Sequence, residues 1–166
     1  MKKPALMPPE LRLSVQYVTP APELPRWRIR RWVQRAVNAA ASDLAQASEQ
    51  PFRCVELTLR LVDDAEGLEL NSTYRERDYA TNVLTFEYGT DPGGTARGDV
   101  VLCMPVLHRE ATEQGKSVLH HAAHLIIHGV FHSLGYDHET TQEAEHMESL
   151  ETTVLAALGI RDPYQT

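Results

Sequence analysis

The hydrophobic positions of the chain repeat with two different spacings, and these spacings predict its secondary structure. Apolar residues alternate with polar ones over residues 11–18 and 55–61, which is typical of strands with one buried face. Residues 83–88 and 99–104 are two further candidate strands, separated by a loop over residues 89–98 that is rich in glycine and contains a proline. Four strands are therefore expected.

Five other segments have the spacing of helices. Residues 27–44 carry apolar side chains three and four positions apart, and a short helix is expected after Pro105. Polar residues that cap helices begin the other three, over residues 63–74, 117–134 and 140–158. Four strands beside about five helices predict an α+β fold, with residues 1–166 forming a single domain.

The helix predicted over residues 117–134 ends in a group of histidines. His128 and His132 are four residues apart, so both imidazoles lie on one face of the helix. Gly135 is placed where a left-handed residue would end the helix and reverse the chain, which would bring His138 back to the same point. Three neutral imidazoles leave one position of a tetrahedral zinc ion open, as catalytic sites do. The sequence therefore predicts a metal-dependent hydrolase with one zinc ion held by His128, His132 and His138.

The same spacing occurs in the metzincin protease signature H-E-x-x-H-x-x-G-x-x-H, with one departure. Gly129 stands where those proteases carry the glutamate that acts as general base. A site without this carboxylate keeps its Lewis acid but lacks the usual proton acceptor for peptide hydrolysis. The pattern therefore favours a metal site without predicting protease activity.

Two other interpretations of the histidines remain open. In the first, the histidines are ordinary helix residues without a ligand. In the second, they bind a structural zinc ion, although such an ion more often has four protein ligands including cysteine. Cys54 and Cys103 lie far from the cluster in sequence and lack C-x-x-C spacing, so we expect them to be buried thiols. We expect His124, one turn before His128, to lie beside the ligands rather than to be a fourth one.

Composition and charge narrow the class of protein. Hydrophobic residues make up 42% of the 166 residues and charged residues 23%, which is ordinary for a soluble globular protein. No segment approaches the roughly 20 apolar residues of a membrane span, and the N-terminal segment lacks the apolar region of a signal peptide. A cytoplasmic location without membrane association is therefore expected.

The charges are unevenly distributed along the chain. The net charge is −7, which counts against nucleic-acid binding over the whole surface. Thirteen of the sixteen basic residues are arginine, and five of these fall within residues 26–35. This cluster is either a phosphate-binding face or an ordinary solvated helix face, and the sequence does not separate the two.

Several motifs together resemble the YbeY endoribonucleases, a bacterial family of zinc-dependent proteins of ribosomal RNA maturation. The histidine segment reads H-G-V-F-H-S-L-G-Y-D-H-E, and residues 70–86 read L-N-S-T-Y-R-E-R-D-Y-A-T-N-V-L-T-F. The segment G-D-V-V-L-C at residues 98–103 and the C-terminal E-x-x-x-L-x-x-L-G-I-R-D-P-Y also match. The resemblance covers about the last hundred residues.

The resemblance implies a fold related to the zincin metalloproteases, with a mixed four-stranded sheet flanked by helices and the metal in a cleft. It implies that His128, His132 and His138 bind zinc and that Arg75 is needed for activity. It further implies cleavage of single-stranded RNA, association with the ribosome, and processing of the 3′ end of 16S ribosomal RNA. Thr85 stands where the family usually has serine, and the hydroxyl is retained.

The residues themselves suit phosphodiester chemistry better than peptide chemistry. Neutral ligands leave the full charge of a zinc ion facing the substrate, which favours an anionic phosphate, and bound water is acidified without a carboxylate base. Arg75 has the planar fork that holds phosphate oxygens, the alternative being a surface ion pair with Glu76 or Asp78. We expect Asn82 to order its loop or contact substrate, and Asp137 to orient a ligand imidazole.

Three functions are therefore in competition. The chain is a zinc-dependent endoribonuclease, an atypical zinc protease that lacks the usual glutamate, or a ribosome assembly factor that zinc mainly stabilises. The first and third predict the same partners, namely single-stranded RNA, ribosomal RNA and the small ribosomal subunit with its proteins.

Overall fold

A computed structural model of the protein describes residues 8–47, 52–75 and 81–165, apart from the side chains of residues 74 and 75. The strands within these ranges are β1 (Glu10–Tyr17), β2 (Cys54–Val62), β3 (Val83–Thr90) and β4 (Thr95–Cys103). The helices are α1 (Arg26–Gln46), α2 (Asp64–Arg75), α3 (Met104–Glu113), α4 (Val118–Ser133) and α5 (Thr141–Ala157). Their order confirms the predicted α+β class.

The four strands form one mixed sheet in the order β1-β2-β4-β3. β1 and β4 both run parallel to β2, with Leu11 opposite Val55 and Gly98 opposite Leu57. β3 lies at the edge of the sheet and runs antiparallel to β4, with Val83 opposite Leu102. This topology confirms the mixed four-stranded sheet and places the start of β3 beside the end of β4.

The two faces of the sheet pack against different helices, because successive residues of a strand point to opposite sides. On one side, Val55, Leu57, Leu59 and Leu61 of β2 are buried in the main core, together with apolar residues of α1, α4 and α5. On the other side, a smaller cluster is formed by residues of β2, β3, β4 and α3, namely Val62, Leu84, Val101, Cys103 and Val106. The histidine helix α4 therefore lies in the main core, on the first side of the sheet.

Two glycines let α4 lie unusually close to the sheet. A Cβ atom at Gly129 of α4 would be 2.7 Å from Val100 Cγ1 of β4, and a Cβ atom at Gly98 of β4 would be 2.8 Å from Ser133 Cβ of α4. Each small residue thus faces a larger one on the opposing element. Because neither strand nor helix can accept a longer side chain at these points, the distance between α4 and β4 is set by the glycines.

The predicted loop over residues 89–98 was placed wrongly. The structure continues β3 to Thr90 and begins β4 at Thr95, which leaves a turn over residues 91–94 in which the Gly94 N–H donates to Asp91 O at 3.0 Å. Gly94 has φ +89°, a left-handed conformation that glycine adopts without strain. Gly98 belongs to β4, where it allows the close contact with α4 and does not reverse the chain.

Cys54 and Cys103 are both free and buried, as expected. Burial raises the pKa of the Cys103 thiol. Among the described helices, none is long and apolar enough to cross a membrane.

Candidate metal centre

Helix α4 places His128 and His132 one turn apart, with their ring centroids separated by 4.6 Å. The helix ends at Ser133, Gly135 follows the C-cap residue Leu134 with φ +101°, and the Tyr136 N–H donates to Phe131 O at 3.1 Å. This is the Schellman arrangement that reverses the chain after a helix.

The reversal returns His138 to the first two histidines, as the spacing predicted. Its ring centroid is 4.8 Å from that of His132 and 5.9 Å from that of His128. Three imidazoles from two turns of helix and one loop therefore lie next to one another, with ring centroids 4.6–5.9 Å apart. This arrangement resembles a site with three protein ligands more than a row of independent surface residues.

The three histidines line a cleft of about 540 Å³ beside the start of β3. The cleft is also lined by one residue of α2, two residues that precede β3 and the first three residues of β3, namely Asn71, Thr81, Asn82, Val83, Leu84 and Thr85. Asp137 and Glu139 complete its rim. A molecule bound at the histidines would therefore lie between the end of α4 and the edge strand.

A buried carboxylate holds His128. Glu151 of α5 is 0% exposed, and its Oε1 lies 2.9 Å from His128 Nδ1. A carboxylate accepts hydrogen bonds, so Nδ1 carries the hydrogen and Nε2 is the nitrogen left for a metal. Pairing of this kind is usual for metal-binding histidines, because it sets the tautomer and the orientation of the ring.

The same carboxylate joins His124 and the C-terminal segment. His124 Nε2 is 3.2 Å from Glu151 Oε1 and 3.1 Å from the Tyr164 hydroxyl oxygen, and that hydroxyl donates to Glu151 at 3.0 Å. Burial raises the pKa of Glu151, but the hydrogen bonds from His124 and His128 outweigh it and lower the pKa to about 2. Burial beside this anion raises the pKa of Tyr164. Glu151 is therefore an ionised, fully buried group that requires compensating positive charge.

His132 is held in the neutral form that metal binding requires. Burial, together with the neighbouring His128 and His138, lowers the imidazole pKa of His132 to about 4. A proton on this ring would be unfavourable both because the site is half-buried and because two other imidazoles face it.

Within the described part of the chain, two sets of three side chains bring atoms that could bind a metal within 4.8 Å of one another. One set is His124, His128 and Glu151, and the other is His132, Asp137 and His138. The predicted trio takes His128 from the first set and both histidines from the second. Glu151 hydrogen-bonds directly to both histidines of its set, so we assign it the role of orienting His128. We assign metal binding in the cleft to His128, His132 and His138.

Two residues between α4 and His138 hold the reversed chain in place. Asp137 Oδ1 accepts from the His138 backbone N–H at 2.8 Å and is 3.9 Å from its ring Nδ1, which is too long for a hydrogen bond to the imidazole. Asp137 thus shapes the loop. The role that we expected of Asp137, orienting a histidine ring, is performed by Glu151. The Tyr136 ring packs against Phe131, and its hydroxyl donates to Asp43.

Arg75 is the last residue of α2, but its side chain lies outside the described part of the chain, as do Glu76 and Asp78. The arginine cluster over residues 26–35 does not line the histidine cleft. Two of its members instead bind backbone oxygens of β1, with Arg26 donating to Val15 O and Arg30 to Leu11 O.

Sequence reasoning missed Glu151, although one signal for it exists. Met147, Val154 and Leu155 of α5 are buried, and residue 151 falls on the same face by the i, i+4 spacing. A glutamate on an otherwise apolar helix face predicts a buried partner. Glu110 of α3 lies among Val106, Leu107 and Ala111 in the same way, and it also has buried polar contacts.

Comparison with known proteins agrees with this architecture. The solution structure of a protein from Thermotoga maritima matches with a TM-score of 0.52 at 20% sequence identity, covering 94% of this chain and 99% of that chain. At this identity, the match concerns the fold alone.

Sequence comparison is more specific. A family model described as Endoribonuclease YbeY matches residues 16–159. Proteins with the same name are 63% identical over 159 residues in Bordetella petrii and 48% identical over 163 residues in Herminiimonas arsenicoxydans. The first match covers 95% of this chain and 99% of the relative, and the second 93% and 96%. The chain that carries this histidine cleft therefore belongs to the YbeY endoribonuclease family.

Proposed function

We propose that the protein is a zinc-dependent endoribonuclease that cleaves single-stranded RNA and acts in maturation of the 3′ end of 16S ribosomal RNA. The observation that carries the proposal is the meeting of His128, His132 and His138 in an open cleft, in a chain of this family. Residues 1–166 would act as one hydrolase domain, with one zinc ion per chain.

The residues present fit a zinc ion. His128 is held with Nε2 available, His132 is neutral, and His138 comes from the reversed chain after Gly135. A cation held by these rings would also compensate the buried charge of Glu151 through His128. Three protein ligands leave a coordination position for the reaction, whereas a structural zinc ion usually has four.

The charges around the site suit a phosphate substrate. All three ligands are neutral, so the positive charge of the ion is not cancelled by its own ligands. When bound, zinc supplies a Lewis acid and acidifies water, so that no glutamate is needed as base. Arg75 at the end of α2 would bind the phosphate oxygens and stabilise charge that develops in the transition state.

The close contact at Gly129 argues against the protease alternative. In the metzincin pattern this position carries the general base, but here a Cβ atom would come within 2.7 Å of Val100 Cγ1. The glutamate is thus both missing and sterically disfavoured, because a side chain at residue 129 would push α4 away from the sheet. Peptide hydrolysis by the metzincin mechanism therefore lacks its proton acceptor.

The assembly-factor alternative shares the RNA substrate but not the chemistry. Under it, zinc would stabilise the fold, and binding to ribosomal RNA and small-subunit proteins would survive the loss of cleavage. Both functions require access to ribosomes, which agrees with the cytoplasmic location expected from composition. The open cleft favours catalysis, since a purely structural ion gains nothing from an open coordination position.

One experiment separates these functions. The zinc-loaded protein, the chelated protein and His132→Ala are each incubated with a single-stranded RNA and with casein. The proposal expects RNA cleavage by the loaded protein alone, and intact casein throughout. RNA binding without cleavage in all three samples would favour the assembly factor, and casein cleavage that a chelator abolishes would favour the protease.

A further inference from the structure

Asn82 lines the same cleft as the three histidines and immediately precedes β3. Its backbone carbonyl accepts a hydrogen bond of 2.9 Å from the Cys103 N–H, at the end of β4. The residue is therefore anchored to the sheet, even though it follows the segment that leads from α2. A side chain fixed in this way can hold one orientation towards a bound molecule.

The Asn82 side chain is also anchored. Its Nδ2 donates to Glu110 Oε1 at 2.9 Å and lies 3.3 Å from Oε2. An ionised carboxylate only accepts hydrogen bonds, so the amide nitrogen must face Glu110 and the amide oxygen must face away from it. Among the described residues, no group donates to Asn82 Oδ1.

A third residue fixes Glu110. His121 of α4 is 3% exposed, and its Nε2 lies 3.0 Å from Glu110 Oε1. Glu110 Oε1 thus accepts from both Asn82 and a buried imidazole, which limits the positions of the carboxylate. The side chains of His121, Glu110 and Asn82 therefore form one hydrogen-bonded network, which fixes the orientation of the Asn82 amide and leaves its oxygen as the acceptor.

We propose that Asn82 Oδ1 accepts a hydrogen bond from the 2′-hydroxyl of the nucleotide bound at the histidines, and that Glu110 is the positioning residue for it. The proposal rests on the cleft being the RNA site. The ion and Arg75 recognise phosphate, which RNA and DNA share, so selection for RNA needs a separate contact to the 2′-hydroxyl. A neutral acceptor suits this role, since a carboxylate at the same place would repel the neighbouring phosphate.

The test pairs protein variants with altered substrates. A single-stranded RNA with a mapped cleavage site is compared with the same strand carrying a 2′-deoxy nucleotide on either side of that site. For the unaltered protein, we expect the deoxy substitution at one of these positions to lower kcat/KM roughly 3- to 10-fold, as expected for one neutral hydrogen bond. For Asn82→Ala, RNA cleavage should fall by the same factor, and the deoxy substitution should have no further effect.

Variants of α3 test the positioning role. Glu110→Ala should lose discrimination for the 2′-hydroxyl, as Asn82→Ala does. Glu110→Gln can still accept a hydrogen bond from Asn82 and should keep this discrimination. Glu113→Ala on the same helix is the matched control, because Glu113 is exposed and outside the network. If Asn82→Ala does not fold, the Glu110 pair still decides the question, and thermal unfolding of each variant monitors the fold.

Two results would overturn the proposal. One is equal sensitivity of the unaltered protein and Asn82→Ala to the deoxy substitution, and the other is coupling of Asn82 only to exocyclic amines of the bases. Binding of RNA and of the matching DNA strand in the presence of chelator gives a second measure. There, Asn82→Ala should reduce the preference for RNA. Because binding is measured without zinc, this experiment distinguishes an error in the role of Asn82 from an error in the proposed zinc-dependent cleavage.

Discussion

Gly129 and Val100 face each other across the contact between α4 and β4, with space for a hydrogen atom but not for a methyl group. A Cβ atom at residue 129 would be 2.7 Å from Val100 Cγ1 and 3.4 Å from Val83 Cγ2. His128 and His132 lie on the same helix as Gly129. The distance between α4 and the sheet therefore also sets the position of these two candidate ligands.

Gly129→Ala should therefore destabilise the protein, although helix propensity alone predicts the opposite. In a free helix, alanine is favoured over glycine by about 1 kcal/mol, but overpacking against a stiff valine costs typically 1–3 kcal/mol. Thermal unfolding measures the sign. In the double variant with Val100→Ala, the two effects should be less than additive. A more stable Gly129→Ala protein would show that α4 can move away from β4 without cost.

The zinc content of the purified protein should be about one ion per chain. His132→Ala should lose most of this zinc and unfold at a lower temperature, because a bound ion stabilises the folded state. His120→Ala is the control, since His120 is an exposed histidine of the same helix. Elemental analysis measures the content, and full zinc in His132→Ala would show that the ligand assignment is wrong.

Glu151→Gln should weaken zinc binding without removing a ligand. The change takes away the negative charge that fixes the tautomer of His128, and loss of such partners typically costs 10- to 100-fold in metal affinity. Competition with a chelator measures the affinity, with Glu145→Gln as an exposed control on α5. If the unaltered protein held two zinc ions per chain and Glu151→Gln held one, His124, His128 and Glu151 would instead bind an ion of their own.

Arg75→Ala should keep zinc and fold while losing RNA cleavage. If Arg75 stabilises charge in the transition state, the rate should fall by about 10²–10³-fold. Arg75→Lys should recover little, because an ammonium group cannot reproduce the bidentate fork. Cleavage and zinc content are measured together for both variants. Near-normal cleavage by Arg75→Ala would leave this residue with a surface ion pair only, worth at most ~1 kcal/mol of stability.

Arg31 and Arg35 test whether the arginine cluster contacts RNA. Both are exposed, whereas Arg26 and Arg30 are bound to β1. If the exposed pair holds phosphates, Arg31→Glu with Arg35→Glu should weaken RNA binding and lower its dependence on salt, because fewer counterions are released. Titrations at several salt concentrations measure the slope. An unchanged slope would identify the cluster as a solvated face.

The order of the helices and strands and the proximity of the three histidines followed from the sequence itself, because both depend on spacing within a few residues. Alternation marked the strands, and the capping residues Ser117 and Thr140 each accept the backbone hydrogen bond expected at a helix start. Gly135 marked the chain reversal through its conformational freedom. Each of these signals is local, so no knowledge of the neighbouring elements was needed.

Only the tertiary structure decided which carboxylates support the site. Asp137 is adjacent to His138 in sequence but binds its backbone, whereas Glu151, twenty-three positions after His128, reaches its imidazole. The closeness of Gly129 to Val100 and of Glu110 to Asn82 depends in the same way on how α3, α4 and the sheet pack. Sequence distance cannot rank such partners, because burial in a shared core brings together residues that no short-range pattern connects.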